Sequence, residues 1–335
     1  MTKAAVFGAG SWGTAFAMVL ADAGTDVTLC ARRLEIVDAV NETHENPWYQ
    51  PDIRLPERVR ATLDPREALD GAHFVVLAVT AQTLRENLAR WAPLLPADSL
   101  LVSLIKGVEL GTTKRMSEVI REVADVPADR VAVVTGPNLA REIAERRPSA
   151  AVVASSSPEQ AKLLQAASQT PYFRPYTNTD VVGCELSGAL KNVIAVAVGI
   201  ADGMRLGDNA KASLVTRGLA ETARLGVALG ADPMTFAGLA GLGDLVATCA
   251  SPLSRNHSVG VRLGSGMSVD EALTATTTTA EGVSSSKSIL ELARKHDIDV
   301  PITEVVVAVL YENLRPSDGV TRLMTRAAKP ERHDQ

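Results

Sequence analysis

The sequence predicts an α/β fold, with a doubly wound parallel sheet in its first half and an all-helical second half. Three observations carry this. Short apolar runs alternate with helical patterns as far as Tyr176, a glycine triplet links the first run to the first helix, and strand signal stops beyond Asp180. Alternation of this kind marks βαβ units and a parallel sheet.

The apolar runs are Ala4–Phe7, Asp26–Cys30, Phe74–Val79, Leu100–Leu104, Val131–Val134, Ala150–Ala154 and Tyr172–Tyr176. Most are continuous rather than alternating, as expected of strands covered on both faces. Helical patterns at Ser11–Ala23, Ala81–Arg90, Lys114–Val123 and Pro158–Ala167 lie between them. "TPYFRPYTNTD" carries two prolines and several turn formers. The domain boundary is placed there: residues 1–179 form the sheet domain, 180–330 a helical domain and 331–335 a frayed polar tail. Helices are expected at Val181–Ala201, Ala210–Leu229, Pro233–Leu239, Ser254–Gly264, Ser268–Thr274, Ser284–His296 and Ile302–Leu314, with Thr274–Gly282 a polar loop.

A chain of 335 residues with 46% hydrophobic and 22% charged residues can bury a core without staples. A net charge of −5 gives no global attraction to nucleic acid or an anionic membrane. An anionic ligand must therefore be held by local basic groups. The three cysteines are far apart, and the five histidines show no metal-ligand spacing. No disulfide framework, no metal and a reducing cytoplasm are expected. The start, MTKAAVFGAGSWG, lacks the pattern of a signal peptide, and the most apolar run, Leu186–Ala201, falls short of the ~20 residues of a membrane span.

Gly8, Gly10 and Gly13 form G-x-G-x-x-G after a strand and at the start of a helix, the context dinucleotide binding requires. Gly8 permits the turn, Gly10 lets a pyrophosphate approach the backbone, and Gly13 lets helix and strand pack closely. Free N–H groups at the helix start favour phosphate. The second strand ends in Arg32 and Arg33 where an NAD-selective fold places an acid. Guanidinium groups there suit a 2′-phosphate, so NADPH is expected to be accepted alongside NADH.

Ligands of open α/β sheets bind beyond the carboxyl ends of the strands. Lys106 stands just past one such end, and Gly136, Pro137 and Asn138 past another. Lys106 is either a solvated loop lysine or a group in that crevice. In the helical half, "GLAGLGDL" reads as a tight loop presenting Asp244. Ser254, Arg255 and Asn256 open a helix and suit a phosphate cradle, since capping alone does not explain a cation at a helix start. Between Glu185 and Asp202 the one ionisable side chain is Lys191. It either reaches out to water, as long stems can, or supplies an amine to a site.

Together these segments resemble one family. "GAGSWGTAFA", "THENPWYQPDIRLP", "KGVE", "TGPNLARE", "ELSGALKNVIAVAVGIADG", "GADPMTFAGLAGLGDL", "SRNHSVG" and "AEGVSSSK" are similar to bacterial-type NAD(P)-dependent glycerol-3-phosphate dehydrogenase, in order through nearly the whole chain. The resemblance implies an N-terminal Rossmann domain and a helical domain like that of 6-phosphogluconate dehydrogenase. It implies reversible reduction of dihydroxyacetone phosphate to sn-glycerol 3-phosphate, supplying phospholipid synthesis, in a cytoplasmic homodimer. Carried over by position, Ser11, Trp12, Arg32, Arg33, Lys106, Ala140, Arg255 and Glu281 touch the cofactor. Lys106, Gly136, Asn138, Lys191, Asp244, Ser254, Arg255 and Asn256 hold the substrate, with Lys191 catalytic. The chain has Asn138-Leu139 where the family usually has Ser or Thr then Phe, and Leu104-Ile105 where it usually has Ala-Thr.

On this reading Lys191 protonates the nascent alkoxide, Asp244 orients it, Lys106 polarises the carbonyl, and Gly188 and Ala189 admit a flat ring. Two other readings remain. One is a β-hydroxyacid dehydrogenase or ketopantoate reductase, which also pairs a dinucleotide domain with a catalytic lysine. The other is a nucleotide-sensing protein with a damaged site.

Overall fold

In a computed structural model of the chain, residues 2–275, 280–328, 330 and 331 are described. Part of the expected Thr274–Gly282 loop and the last four residues of the tail lie outside them.

The strands are β1 (Lys3–Phe7), β2 (Asp26–Cys30), β3 (Glu45–Asn46), β4 (Gln50–Arg54), β5 (Val59–Thr62), β6 (Phe74–Leu77), β7 (Leu100–Ser103), β8 (Val131–Thr135), β9 (Ser149–Ser155) and β10 (Phe173–Asn178). Eight of them form one sheet in the order β10-β9-β8-β7-β6-β1-β2-β5. In β1, Ala4 and Val6 enter the core on one face while Ala5 and Phe7 enter the core on the other. This two-sided burial is why the central strands read as unbroken apolar runs.

Three strands escape the sequence reading. β5 shows apolar residues broken by exposed Arg60, the pattern of an edge strand. β3 and β4 form a two-stranded hairpin from "ENPWYQPDIR", too short and irregular to carry a period. The sheet also departs from all-parallel: β9 runs antiparallel to β8, and β10 parallel to β9. The link from β8 to β9 holds only the short helix Ala140–Ala144, so the chain folds back without a full crossover. Pro175 is tolerated because β10 is an edge strand.

The helical half is built around the helix Val181–Gly203, whose start is capped by Asp180 accepting from the Gly183 N–H. This helix exceeds the span expected from the sequence and is long and apolar enough to cross a membrane, but 89% of its apolar window is buried inside the protein. It crosses the helix Arg255–Gly264 at backbone distance. A Cβ on Gly199 would lie 2.1 Å from the His257 carbonyl oxygen, and one on Gly260 would lie 2.2 Å from that of Val196. Gly203 and Gly264 make the same close approach one turn on.

Asp244 does not sit on a tight loop. Leu239–Gly243 forms a π-helical turn that runs into the α-helix Asp244–Ala250, putting Asp244 in its first turn. The glycines that suggested a loop let the turn press onto its neighbour, since a Cβ on Gly241 would lie 2.1 Å from the Phe236 carbonyl oxygen.

Candidate active site

The glycine loop between β1 and the helix Ser11–Asp22 has the shape its spacing demands. Gly8 lies at φ 117°, and a Cβ there would lie 2.5 Å from the Ala78 carbonyl oxygen. A Cβ on Gly13 would lie 2.0 Å from the Gly8 carbonyl oxygen, whereas one on Gly10 would meet nothing within 4 Å. Two glycines therefore close the backbone and the middle one opens it. Gly10 is the N-cap and no side chain caps the helix, leaving its first N–H groups for an anion.

The hairpin β3–β4 braces this loop, which sequence reasoning missed. Asn46 Nδ2 donates to the Ala9 carbonyl at 3.0 Å and to Thr14 Oγ1 at 2.9 Å. Gln50 Nε2 donates to the carbonyls of Ser11 and Ala140. Arg32 and Arg33 are exposed beyond β2. The Arg33 guanidinium stands 5.5 Å from the ring centres of Trp48 and Tyr49 in the same hairpin, so the two arginines are not equivalent.

Asp244 is the hub of the second cluster. Lys191 Nζ donates to Asp244 Oδ1 at 2.7 Å and to Thr248 Oγ1 at 2.6 Å. Lys106 Nζ donates to Asp244 Oδ2 at 2.6 Å and to the Gly136 carbonyl at 3.0 Å. Asp244 is 1% exposed and Lys191 is 8% exposed, so the lone lysine of the central helix points inward. An ammonium has three donors. Each lysine spends two on these partners and keeps one. Burial pushes the Lys106 amine down to about 8; Asp244 opposes the shift and Lys191 adds to it. Thr248, one turn past Asp244, was not singled out from the sequence.

The space beside Gly188 is taken by this arrangement. A Cβ there would lie 3.0 Å from Thr135 Oγ1 and 3.4 Å from Lys106 Cγ, and Ala189 is fully buried in the helical core. The missing side chain at Gly188 makes room for Thr135 and the Lys106 stem.

Ser254 caps its helix, its Oγ accepting from the His257 N–H at 3.3 Å. Asn256 Nδ2 donates to Asn192 Oδ1 at 2.9 Å, and its Oδ1 accepts from the Gly282 N–H at 2.9 Å. The carboxamide thus ties the residue after Lys191 to the helix Glu281–Lys295. Arg255 is exposed at the head of its helix. Burial pushes the Glu281 carboxyl up to about 7, with Arg255 opposing the shift.

Two family models match, one described as the N-terminus of NAD-dependent glycerol-3-phosphate dehydrogenase over residues 3–161, the other as its C-terminus over residues 180–321. The chain belongs to this family. It is 67% identical over 330 residues to a protein of Streptomyces avermitilis named glycerol-3-phosphate dehydrogenase (NAD(P)+), covering 98% of each chain. It is 62% identical to the protein of the same name from Thermobifida fusca, covering 99% of each. The crystal structure of glycerol-3-phosphate dehydrogenase from Coxiella burnetii superposes with a TM-score of 0.92 at 38% identity, over 97% of this chain and 99% of that one. A ketopantoate reductase from Ralstonia eutropha, at 19% identity and a TM-score of 0.58, shares the fold alone.

The residues present fit the dinucleotide and substrate of such an enzyme. Buried polar atoms in native proteins find partners. Trp12 Nε1, both amide atoms of Asn138, Ser187 Oγ, Glu281 Oε2 and Ser285 Oγ are buried without a hydrogen bond among the described residues. They stand after β1 and β8, one turn before Lys191, and at the start of the helix Glu281–Lys295. That is the rim of the crevice beyond the strand ends. Among the described residues no group of acids, histidines and cysteines could hold a metal ion.

Proposed function

We propose that this NAD(P)-dependent glycerol-3-phosphate dehydrogenase reduces dihydroxyacetone phosphate with Lys191 as proton donor and Lys106 as its electrostatic partner. One observation carries the reading: a buried and a partly buried ammonium group share a single buried carboxylate, and each keeps an unused N–H. A site of this kind holds net positive charge in a dry setting, where it acts on an oxygen that is gaining charge.

Bound NADH or NADPH supplies the hydride. Lys191 Nζ gives its proton to the substrate oxygen as the C=O bond becomes C–O, and takes it back in oxidation. Asp244 and Thr248 fix the direction of that N–H. Lys106 polarises the carbonyl. Ser254, Arg255 and Asn256 hold the substrate phosphate, with Gly136 and Asn138 closing the other side. Ser254 has its hydroxyl proton to donate and Asn256 its second amide hydrogen, since their other valences are spent on the cap and on Asn192 and Gly282. Gly8, Gly10, Ser11, Trp12, Gly13, Arg32, Arg33, Lys106, Ala140, Arg255 and Glu281 line the dinucleotide path.

Residues 1–179 serve as the cofactor domain and 180–330 as the catalytic domain of a cytoplasmic homodimer that feeds phospholipid synthesis. Three free, buried cysteines suit a reducing compartment. Exposed Val227, Met234, Leu242 and Val246 stand on helices that pack on one another, which supports an apolar face for a second copy.

The test follows nicotinamide absorbance with dihydroxyacetone phosphate, dihydroxyacetone and ketopantoate, each with NADH and NADPH. Turnover of the phosphorylated ketone is expected; turnover of ketopantoate alone contradicts the reading. The pH profile gives a second check. Lys106 is charged below about 8, so kcat for reduction should fall above that pH, well short of the 10.5 of an ordinary lysine. A profile flat to pH 10 contradicts the role given to Lys106.

A further inference from the structure

We propose that Glu185 is a positioning residue for this reaction, holding the Lys106 loop in register against the Lys191 helix. The proposal rests on the roles given above to the two lysines.

The chain leaves β7, carries Lys106, and returns to the helix Met116–Ala124. It returns as a closed loop, with Val108 bridging to Arg115 and the Glu109 N–H donating to the Lys114 carbonyl. The sheet half and the helix Glu281–Lys295 hold its flank. Gln82 and Ser288 donate to the Val108 carbonyl, and Arg85 grips Glu109 at 2.9 Å through two nitrogens.

Its base is held by the Lys191 helix itself. Glu185 is 5% exposed. It accepts from Arg115 Nη1 at 2.7 Å, from the Ser117 N–H at 2.7 Å and from Ser117 Oγ at 2.5 Å. These are the direct hydrogen bonds between this segment and the Lys191 helix among the described residues. Glu185 and Lys191 lie ~9 Å apart along that helix at 1.5 Å per residue. One rigid helix therefore meets the loop at two points. Glu185 fixes the returning arm at Arg115 and Ser117, and Lys191, through Asp244, meets the Lys106 amine on the outgoing arm.

A brace between two halves of a protein also buries an acid, so burial alone does not distinguish the two roles. The distinction lies in what moves when the acid is lost. A brace loses stability only. A register pin lets Lys106 drift from Asp244, Lys191 and the Gly136 carbonyl, the groups that face its amine, and so changes the reaction. Glu221 supplies the comparison. It is 1% exposed, and it accepts from the Ile302 and Thr303 N–H groups at the head of the helix Pro301–Tyr311, with no hydrogen bond to the lysine cluster.

The experiment compares Glu185→Gln, Glu185→Asp, Ser117→Ala, Glu221→Gln and Lys191→Ala in the full chain. It reads kcat, KM for dihydroxyacetone phosphate, the alkaline limb of the pH profile and the melting temperature. Glu185→Gln is expected to lower kcat roughly 10- to 100-fold, the range for a misplaced catalytic group. The alkaline limb should move upward as Lys106 regains solvent. Glu185→Asp should recover part of the loss, and Ser117→Ala should move the same quantities less, keeping the test open should Glu185→Gln fail to fold. Glu221→Gln should alter melting alone. A Glu185→Gln enzyme with wild-type kcat and pH limb and a lowered melting temperature, beside an inactive Lys191→Ala, overturns the proposal only. Full turnover by Lys191→Ala overturns the site reading and this proposal with it.

Discussion

Gly10 and the glycines at the helix crossing do opposite work in this molecule. In the sheet half, Gly10 is needed for the space it leaves, since nothing lies within 4 Å of where its Cβ would be. In the helical half, Gly199, Gly203, Gly260 and Gly264 are needed for the space they remove, each letting a backbone carbonyl come where a side chain would stand. Gly10 leaves bare backbone and an uncapped helix start, where the proposed dinucleotide path runs. The crossing glycines lock two helices together so that Lys191 and the Ser254–Asn256 segment keep one separation. A shared motif letter thus encodes binding in one place and geometry in the other, and the two separate by experiment.

Gly260→Val should have the largest effect on the fold. Its side chain would be driven into the Val196 carbonyl, which belongs to a buried helix. Overpacking of that kind costs about 3 kcal/mol, and thermal unfolding should show a drop of roughly 4 °C. An unchanged melting curve would mean the crossing is loose. Gly10→Ala should leave melting unchanged and weaken NADPH binding at least about tenfold, ~1.4 kcal/mol, by titration. Weaker folding with intact binding would reverse the contrast between the halves. Arg32→Ala should have the smallest effect, a loss of NADPH affinity relative to NADH of a few-fold. Equal loss for both cofactors would remove the 2′-phosphate from the account.

Legibility followed the same division. β1, β6 and β7 could be read because two covered faces leave a nearly unbroken apolar run. The hairpin β3–β4 could not, because its contribution is two amides, Asn46 and Gln50, reaching the glycine loop from far along the chain. The reversal of β9 was invisible because direction leaves no mark on strand composition. "GLAGLGDL" was misread because glycines signal a loop, while here they permit a π-turn pressed onto Phe236 and a helix beginning at Asp244. In the site, Lys191 stood out as the one charge in an apolar stretch, and Lys106 by its place at a strand end. Their junction at Asp244, the third partner Thr248 and the hold of Glu185 on Arg115 and Ser117 are contacts between distant residues, which local periodicity does not carry.

The claim that joins the two halves is that the buried amine of Lys191 moves the proton. Lys191→Ala tests it most directly, with NADPH binding by fluorescence and reduction of dihydroxyacetone phosphate measured on the same preparation. The account predicts cofactor binding within about twofold of wild type and a kcat lowered ~10²–10⁴-fold. Wild-type turnover by that variant would contradict it.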